Sequence, residues 1–190
     1  GESVIIDVTK EEADQLREKR LEELQTVRRE ATSAKLTGAA SQPAYKKSKV
    51  KISLSKKDLI EQPLAKLAKW VGEIVQTESP IFRDMAYIRF LDAAGKRTGA
   101  RNVESFEKGL SEAISEQEVR REGDVLFDAK STTVTVRDRR KLSTDERKFE
   151  WVADLELDEA ILIVVRQSFG IEKEDISIAA SRLLGFDRTS

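Results

Sequence analysis

Ile74-Val75-Gln76-Thr77-Glu78-Ser79-Pro80-Ile81 and Val164-Val165-Arg166-Gln167-Ser168-Phe169-Gly170-Ile171 stand ninety residues apart and read as one element written twice. Each runs on to a glycine: Gly95 before Lys96-Arg97-Thr98-Gly99, and Gly185 before Phe186-Asp187-Arg188-Thr189. At that offset Val75 meets Val165, Ile81 meets Ile171, Ile88 meets Ile178 and Gly95 meets Gly185; one residue further on, Arg97-Thr98 matches Arg188-Thr189. Repeats of this size are units of fold. The second copy breaks off where a third helix should follow, and the chain opens on Gly1. Both features suggest a piece of a longer protein.

Working outward from the first copy, Leu64, Leu67, Ala68, Val71, Ile74 and Val75 fall on one helical face, which Ser79-Pro80 interrupts. A second helix should turn Met85, Ile88 and Leu91 inward and stop at Gly95, a residue that tolerates the left-handed conformation of a helix end. A third helix groups Val103, Phe106, Leu110, Ala113 and Ile114. Glu122-Gly123-Asp124 then reads as a turn between two strand-like runs, and alternating Thr132, Val134 and Val136 predict one more strand. Three helices followed by a hairpin is the order of a winged helix. Trp70, beside the first apolar stripe, reads as a packing residue, and Trp151 and Val152 are expected to pack on this unit. In the second copy, Leu157, Ile161, Val164 and Val165 begin a helix; Ile176, Ile178 or Ala179, Leu183 and Leu184 belong to another that ends at Gly185.

Towards the N-terminus, residues 4–8 suggest a short strand, and Thr9 with Glu12 forms a capping box ahead of a charged helix over 10–35. Its apolar stripe (Ala13, Leu16, Leu21, Leu24, Val27, Ala31) is thin, which leaves open a solvated or docked helix and a paired one in a homodimer. Residues 45–57 carry Lys46, Lys47, Lys49, Lys51, Lys56 and Lys57 with no acid, as a solvated linker or a phosphate-contacting arm. Tyr45 is the only aromatic residue in that arm and could stack on a base. The expected organisation is thus residues 1–36 as strand and charged helix, 37–62 as lysine-rich linker, 63–141 as winged-helix domain and 142–190 as connector and partial second repeat. The fold class is mainly α, formally α+β.

Composition limits the chemistry. The 190 residues include no histidine and no cysteine, removing the commonest general base and metal ligand, disulfides and thiolate zinc sites. No Asp/Glu cluster stands out as a metal site, and no Gly-rich phosphate loop is present. A non-enzymatic protein without cofactor is expected. No apolar run reaches the ~18 residues a membrane span requires, so a cytoplasmic protein without membrane contact is expected. Charged residues make up 36% of the chain with a net charge of −1, so nucleic-acid binding would have to rest on local charge.

Glu78-Ser79-Pro80-Ile81, Gly95-Lys96-Arg97-Thr98-Gly99 and Arg120-Arg121-Glu122-Gly123-Asp124-Val125-Leu126-Phe127 together resemble the family known as domain of unknown function 3320, as do Ser168-Phe169-Gly170-Ile171 and Leu183-Leu184-Gly185-Phe186 further on. Ser79 stands where that family usually has glycine, and Phe82 where it often has histidine. The resemblance implies the C-terminal region of large bacterial proteins with superfamily 1 helicase-like cores, often with a nuclease domain, in settings read as DNA restriction or phage defence. The chain would be an accessory module of such a machine. It implies no catalytic residue.

A winged helix usually reads DNA with its third helix. Here that helix carries Glu104, Glu107, Glu112, Glu116 and Glu118 against Lys108 alone. The candidate DNA contacts are therefore Lys96, Arg97 and Arg101 at its start, Arg120 and Arg121 on the wing, Arg137, Arg139 and Arg140 after it, and Lys46, Lys47 and Lys49 of the arm. These would hold the backbone without reading sequence. The alternative is a docking or oligomerisation module that uses the acidic third helix and the N-terminal helix.

Overall fold

The computed structural model describes residues 42–54, 57–168 and 171–186, together with helical, exposed positions Gln15, Glu18, Lys19 and Glu22. The strand expected over 4–8, most of the helix expected over 10–35, and Lys56 lie outside the described residues.

Helix α1 is Leu64–Glu78 and starts behind Pro63, whose fixed φ (−55°) suits a helix entrance and whose carbonyl accepts from the Lys66 and Leu67 amides. Strand β1 (Ile81–Phe82) follows a cis Ser79–Pro80 bond, and α2 (Arg83–Ala94) follows at once. Gly95 ends α2 at φ 62°, with the Lys96 amide reaching back to the Leu91 carbonyl, the closure that a left-handed glycine makes possible. Helix α3 is Ala100–Ser115. Strands β2 (Val119–Glu122) and β3 (Val125–Asp128) form the expected hairpin, with Gly123 at φ 57° in its two-residue turn. The sheet is antiparallel in the order β1-β3-β2, with Ile81 opposite Leu126 and Arg121 opposite Leu126 on the other side. The short β1 pairing is carried by two residues, too few for the alternation that marks a strand in sequence.

The main core is the inner face of α1 (Leu67, Ala68, Val71, Ile74, Val75) against Phe90, Phe106, Leu110, Ala113 and Leu126. Each such large apolar side chain contributes about 1.5–3 kcal/mol by leaving water. Helix α3 crosses α1 so closely at Gly109 that a Cβ there would lie 2.8 Å from the Leu67 backbone, so only glycine permits this crossing. Phe106 meets Tyr87 and Phe90 at ring-centroid separations of 5.4 and 5.6 Å. Val103 and Ile114 pack at the rim, as does Trp70; Trp151 sits edge-on to Phe82 at 5.6 Å. Leu64 and Ile88, expected inside, are 44% and 43% exposed. Leu64 is the first residue of α1, where the helix end meets water, and Ile88 lies with Asp84 and Asp92 on the exposed face of α2.

Beyond the sheet, the residues around Val134 form an extended loop instead of a strand. Val136 is buried, but the loop is held by side chains and by a single bridge between Ala44 and Asp138. Helices α4 (Asp154–Gln167) and α5 (Lys173–Leu183) then pair over a second core of Val136, Val152, Ala160, Val164, Ala179, Ala180 and Leu184. Their first residues stand ninety positions after those of α1 and α2. Gly185 closes the pair at φ 90°, matching Gly95. Ala179, and not the exposed Ile178, faces the core; Val165, expected inside, is 46% exposed. Val152 belongs to this second core while its neighbour Trp151 serves the first.

Candidate nucleic-acid interface

The left-handed turn at Gly95 throws Lys96 and Arg97 outward just before α3 begins at Ala100. Asn102 donates from Nδ2 to the Arg97 carbonyl at 2.7 Å and braces the turn. A cleft of about 380 Å³ opens here, lined by Asp58, Ile60, Lys96, Gly99, Ala100, Arg101 and Asn102. The α3 amides at Ala100 and Arg101 precede the first intrahelical bonds, which run from Asn102 and Val103 to Gly99, so this end presents free donors to an anion. Lys96 pairs with Asp58 at 2.9 Å, and that hydrogen bond, with the charge behind it, holds the Asp58 carboxyl below its ordinary range. Arg97 and Arg101 are exposed and form no ion pair among the described residues.

The remaining cations divide by environment. Arg120 contacts Glu122 and lies over the Phe127 ring at 4.5 Å, while Arg121 donates from Nε to the Gly123 carbonyl at 2.8 Å. Both remain on the surface, as does Arg140, which pairs with Asp138 at 3.1 Å. Lys46 and Lys49 are exposed; Lys47 reaches Glu146 at 2.6 Å. Two of the acids on α3 are already neutralised, Glu104 by Lys108 at 2.8 Å and Glu107 by Arg83 at 2.8 Å.

Arg137 and Arg139 are corrected outright: they are 7% and 2% exposed and cannot reach a backbone phosphate. Both guanidinium groups donate to Glu156 of α4, each with a contact of 2.6 Å to Oε2. Arg137 also reaches the carbonyls of Glu78 (2.6 Å) and Pro80 (2.8 Å). Burial alone would raise the Glu156 carboxyl, but hydrogen bonds from Arg139 and Arg137 hold it below the ordinary range. The Tyr45 ring lies beneath the two arginines at 4.5 and 5.2 Å, so its face is occupied and unavailable for a base.

A second buried cluster adjoins the first. Glu78, fully buried, accepts from Tyr45 Oη (2.9 Å), the Ser48 amide (2.8 Å) and Arg89 Nε (3.1 Å). Arg89 also donates to Glu146 at 2.6 Å. The lysine-rich arm is therefore fastened at Tyr45 and Ser48, and Ile52 is buried in the main core, so this stretch is no free linker. Nothing in the sequence reading paired these residues; Arg137-Asp138-Arg139-Arg140 carries the same letters whether it faces water or Glu156.

Glu146 is tuned by this cluster. Partial burial raises its pKa, yet Lys47, Ser143 and Arg89 hydrogen bonds outweigh that and bring it from 4.5 to about 2. A depressed carboxyl contributes stability above its unfolded pKa and loses it as the folded pKa is approached. Stability should therefore fall as the pH drops from about 4.5 towards 2, by on the order of 2 kcal/mol from this group. Urea midpoints across that range check this, and Glu146→Gln should flatten part of the decline.

Among the described residues no group of three or more Asp or Glu could hold a metal ion, and no helix is long and apolar enough to cross a membrane. The search of curated proteins and the search of solved structures returned no match. Residues 57–104, which run from the approach to α1 through the cationic turn into α3, match the family described as protein of unknown function (DUF3320), so this part of the chain is similar to that family.

Proposed function

We propose that residues 63–141 form a winged-helix unit that holds a nucleic-acid backbone without reading its sequence. The order α1-β1-α2-α3-β2-β3 and the sheet order β1-β3-β2 support the winged-helix reading. The observation that carries the binding reading is one open cleft lined by Lys96, Arg101 and the first residues of α3, with exposed Arg97 in the turn that leads into it. Phosphate oxygens suit such a site, because fixed donors and exposed guanidinium groups both favour an anion. The wing arginines and Lys46 and Lys49 are further exposed cations that could meet a backbone. The proposal of a non-catalytic role rests on the absence of histidine and cysteine from the sequence. A role as an accessory module of a larger helicase- or nuclease-bearing protein follows from the family resemblance alone.

Fluorescence anisotropy with labelled duplex DNA tests this reading. The double substitution Arg97→Glu/Arg101→Glu should weaken binding at low salt by at least about tenfold and reduce the salt slope by about 2. Unchanged affinity would sink it. The docking alternative now draws its support from a different surface than α3, the outer face of α4.

A further inference from the structure

Helix α4 is apolar on two faces. Leu157, Ala160, Ile161 and Val164 belong to the second core shared with α5. Leu155, Leu162 and Val165 lie elsewhere around the helix and are 43%, 43% and 46% exposed. Successive turns of one helix bring positions 155, 158, 162 and 165 onto a single stripe. The first repeat shows what this stripe needs. Ninety residues earlier, Ala68, Gly72 and Val75 of α1, the equivalents of Asp158, Leu162 and Val165, are buried with α3 and the hairpin packed on that helix, while Ala65, the equivalent of Leu155, is exposed. Among the described residues no helix takes the equivalent place on α4.

The stripe is complementary to itself. Asp158 stands four residues before Leu162 and Arg166 four residues after it, and both are exposed. If two α4 helices lie antiparallel with a two-fold axis at Leu162, each Asp158 comes opposite the partner's Arg166, and each Val165 comes beside the partner's Asp158-Glu159 turn. Arg166 already leans towards an acid on this face, with Glu159 at 3.7 Å in its own helix. Asp158 and Glu159 in the first half of α4 thus come near Arg166 of the second copy, and the helix dipoles oppose. Contact of residue i with j and of j with i is the signature of an isologous interface.

We propose that the Asp158–Leu162–Arg166 face of α4 pairs antiparallel with the same face of a second copy of this chain. A single helix pair buries less than the roughly 800 Å² per partner of a standard interface, so the dimer is a reversible one. The chain has no cysteine, which makes the test clean. The Leu162→Cys substitution lies on the two-fold axis, and that variant should be joined to its partner by a short bis-maleimide; the Thr132→Cys variant, altered at an exposed position outside α4, should not. In sedimentation equilibrium Asp158→Arg should weaken association about tenfold, and Asp158→Arg/Arg166→Asp should restore it. Circular dichroism checks that each variant folds. A wild-type chain that stays monomeric up to about 1 mM overturns the proposal. So does association that survives Asp158→Arg unchanged, or cross-linking of the Thr132→Cys variant as fast as that of the Leu162→Cys variant.

Discussion

Replacement of Glu156 by alanine should unfold the α4–α5 pair and destabilise the whole chain by about 3–5 kcal/mol. The reason is an asymmetry between making and breaking a buried ion cluster. In the folded chain two guanidinium groups are held out of water by one carboxylate, three backbone carbonyls and one tyrosine ring. Remove the carboxylate and Arg137 and Arg139 remain buried, now adjacent like charges with nothing between them. The loss compares with the whole stability of a small domain, about 5–15 kcal/mol. Urea unfolding followed by circular dichroism measures it. The triple substitution Arg137→Met/Arg139→Met/Glu156→Leu should recover much of the loss, because well-packed apolar side chains can replace a buried ion cluster. A Glu156→Ala midpoint within about 1 kcal/mol of wild type would mean that the arginines reach water and that the cluster is not closed.

The second large effect is expected at Glu78. Glu78→Ala removes the acceptor of the Tyr45 hydroxyl, the Ser48 amide and Arg89 together. A loss of about 3–4 kcal/mol should follow, since a buried arginine keeps only Glu146 as its acid partner. Unlike the change at Glu156, this one should also release the arm. Lys46, Lys47, Lys49 and Lys51 should become trypsin sites under conditions where the three-helix unit still resists digestion. Tyr45→Phe keeps the ring under the two arginines and loses one hydrogen bond, at a cost of about 1 kcal/mol. If Glu78→Ala left both the midpoint and the digestion pattern unchanged, the arm would be held by Val50, Ile52 and Leu54 and not by this carboxylate.

These two residues also bear on the proposed function. The arm stays on the same side of the molecule as the connector because Tyr45 and Asp138 share a backbone bond as well. Releasing it by Glu78→Ala would therefore separate its cations from the rest of the surface. Binding carried by the α3 cleft should survive that change, whereas binding carried by the arm should not.

Much of the architecture was legible because it depends on local spacing. Phe106, Leu110 and Ala113 share a face by helical period, and Gly95, Gly123 and Gly185 mark three left-handed turns. The ninety-residue offset between Val75 and Val165 anticipated the matching starts of the two helix pairs, although the two valines differ in burial. Period alone could not say whether a second layer covers a given face. Hence Ile88 and Val165 follow the apolar spacing and are nevertheless exposed. Alternation likewise gave Thr132, Val134 and Val136 the look of a strand, but a strand also needs a partner edge, and these residues pair with neither outer strand of the sheet.

The cationic turn was legible as an exposed cluster because Gly95 and the start of α3 fix it locally. The environment of the arginines after the wing was not, because charge does not encode its own surroundings. By itself the sequence determined the helices, the turns and the absence of histidine and cysteine chemistry. Only the tertiary structure decided that Arg137 and Arg139 lie inside with Glu156, and that Glu78 ties the arm to the core. Burying a charge requires a counter-charge brought from a remote position, here nineteen residues from Arg137, and that pairing exists only once the chain has folded.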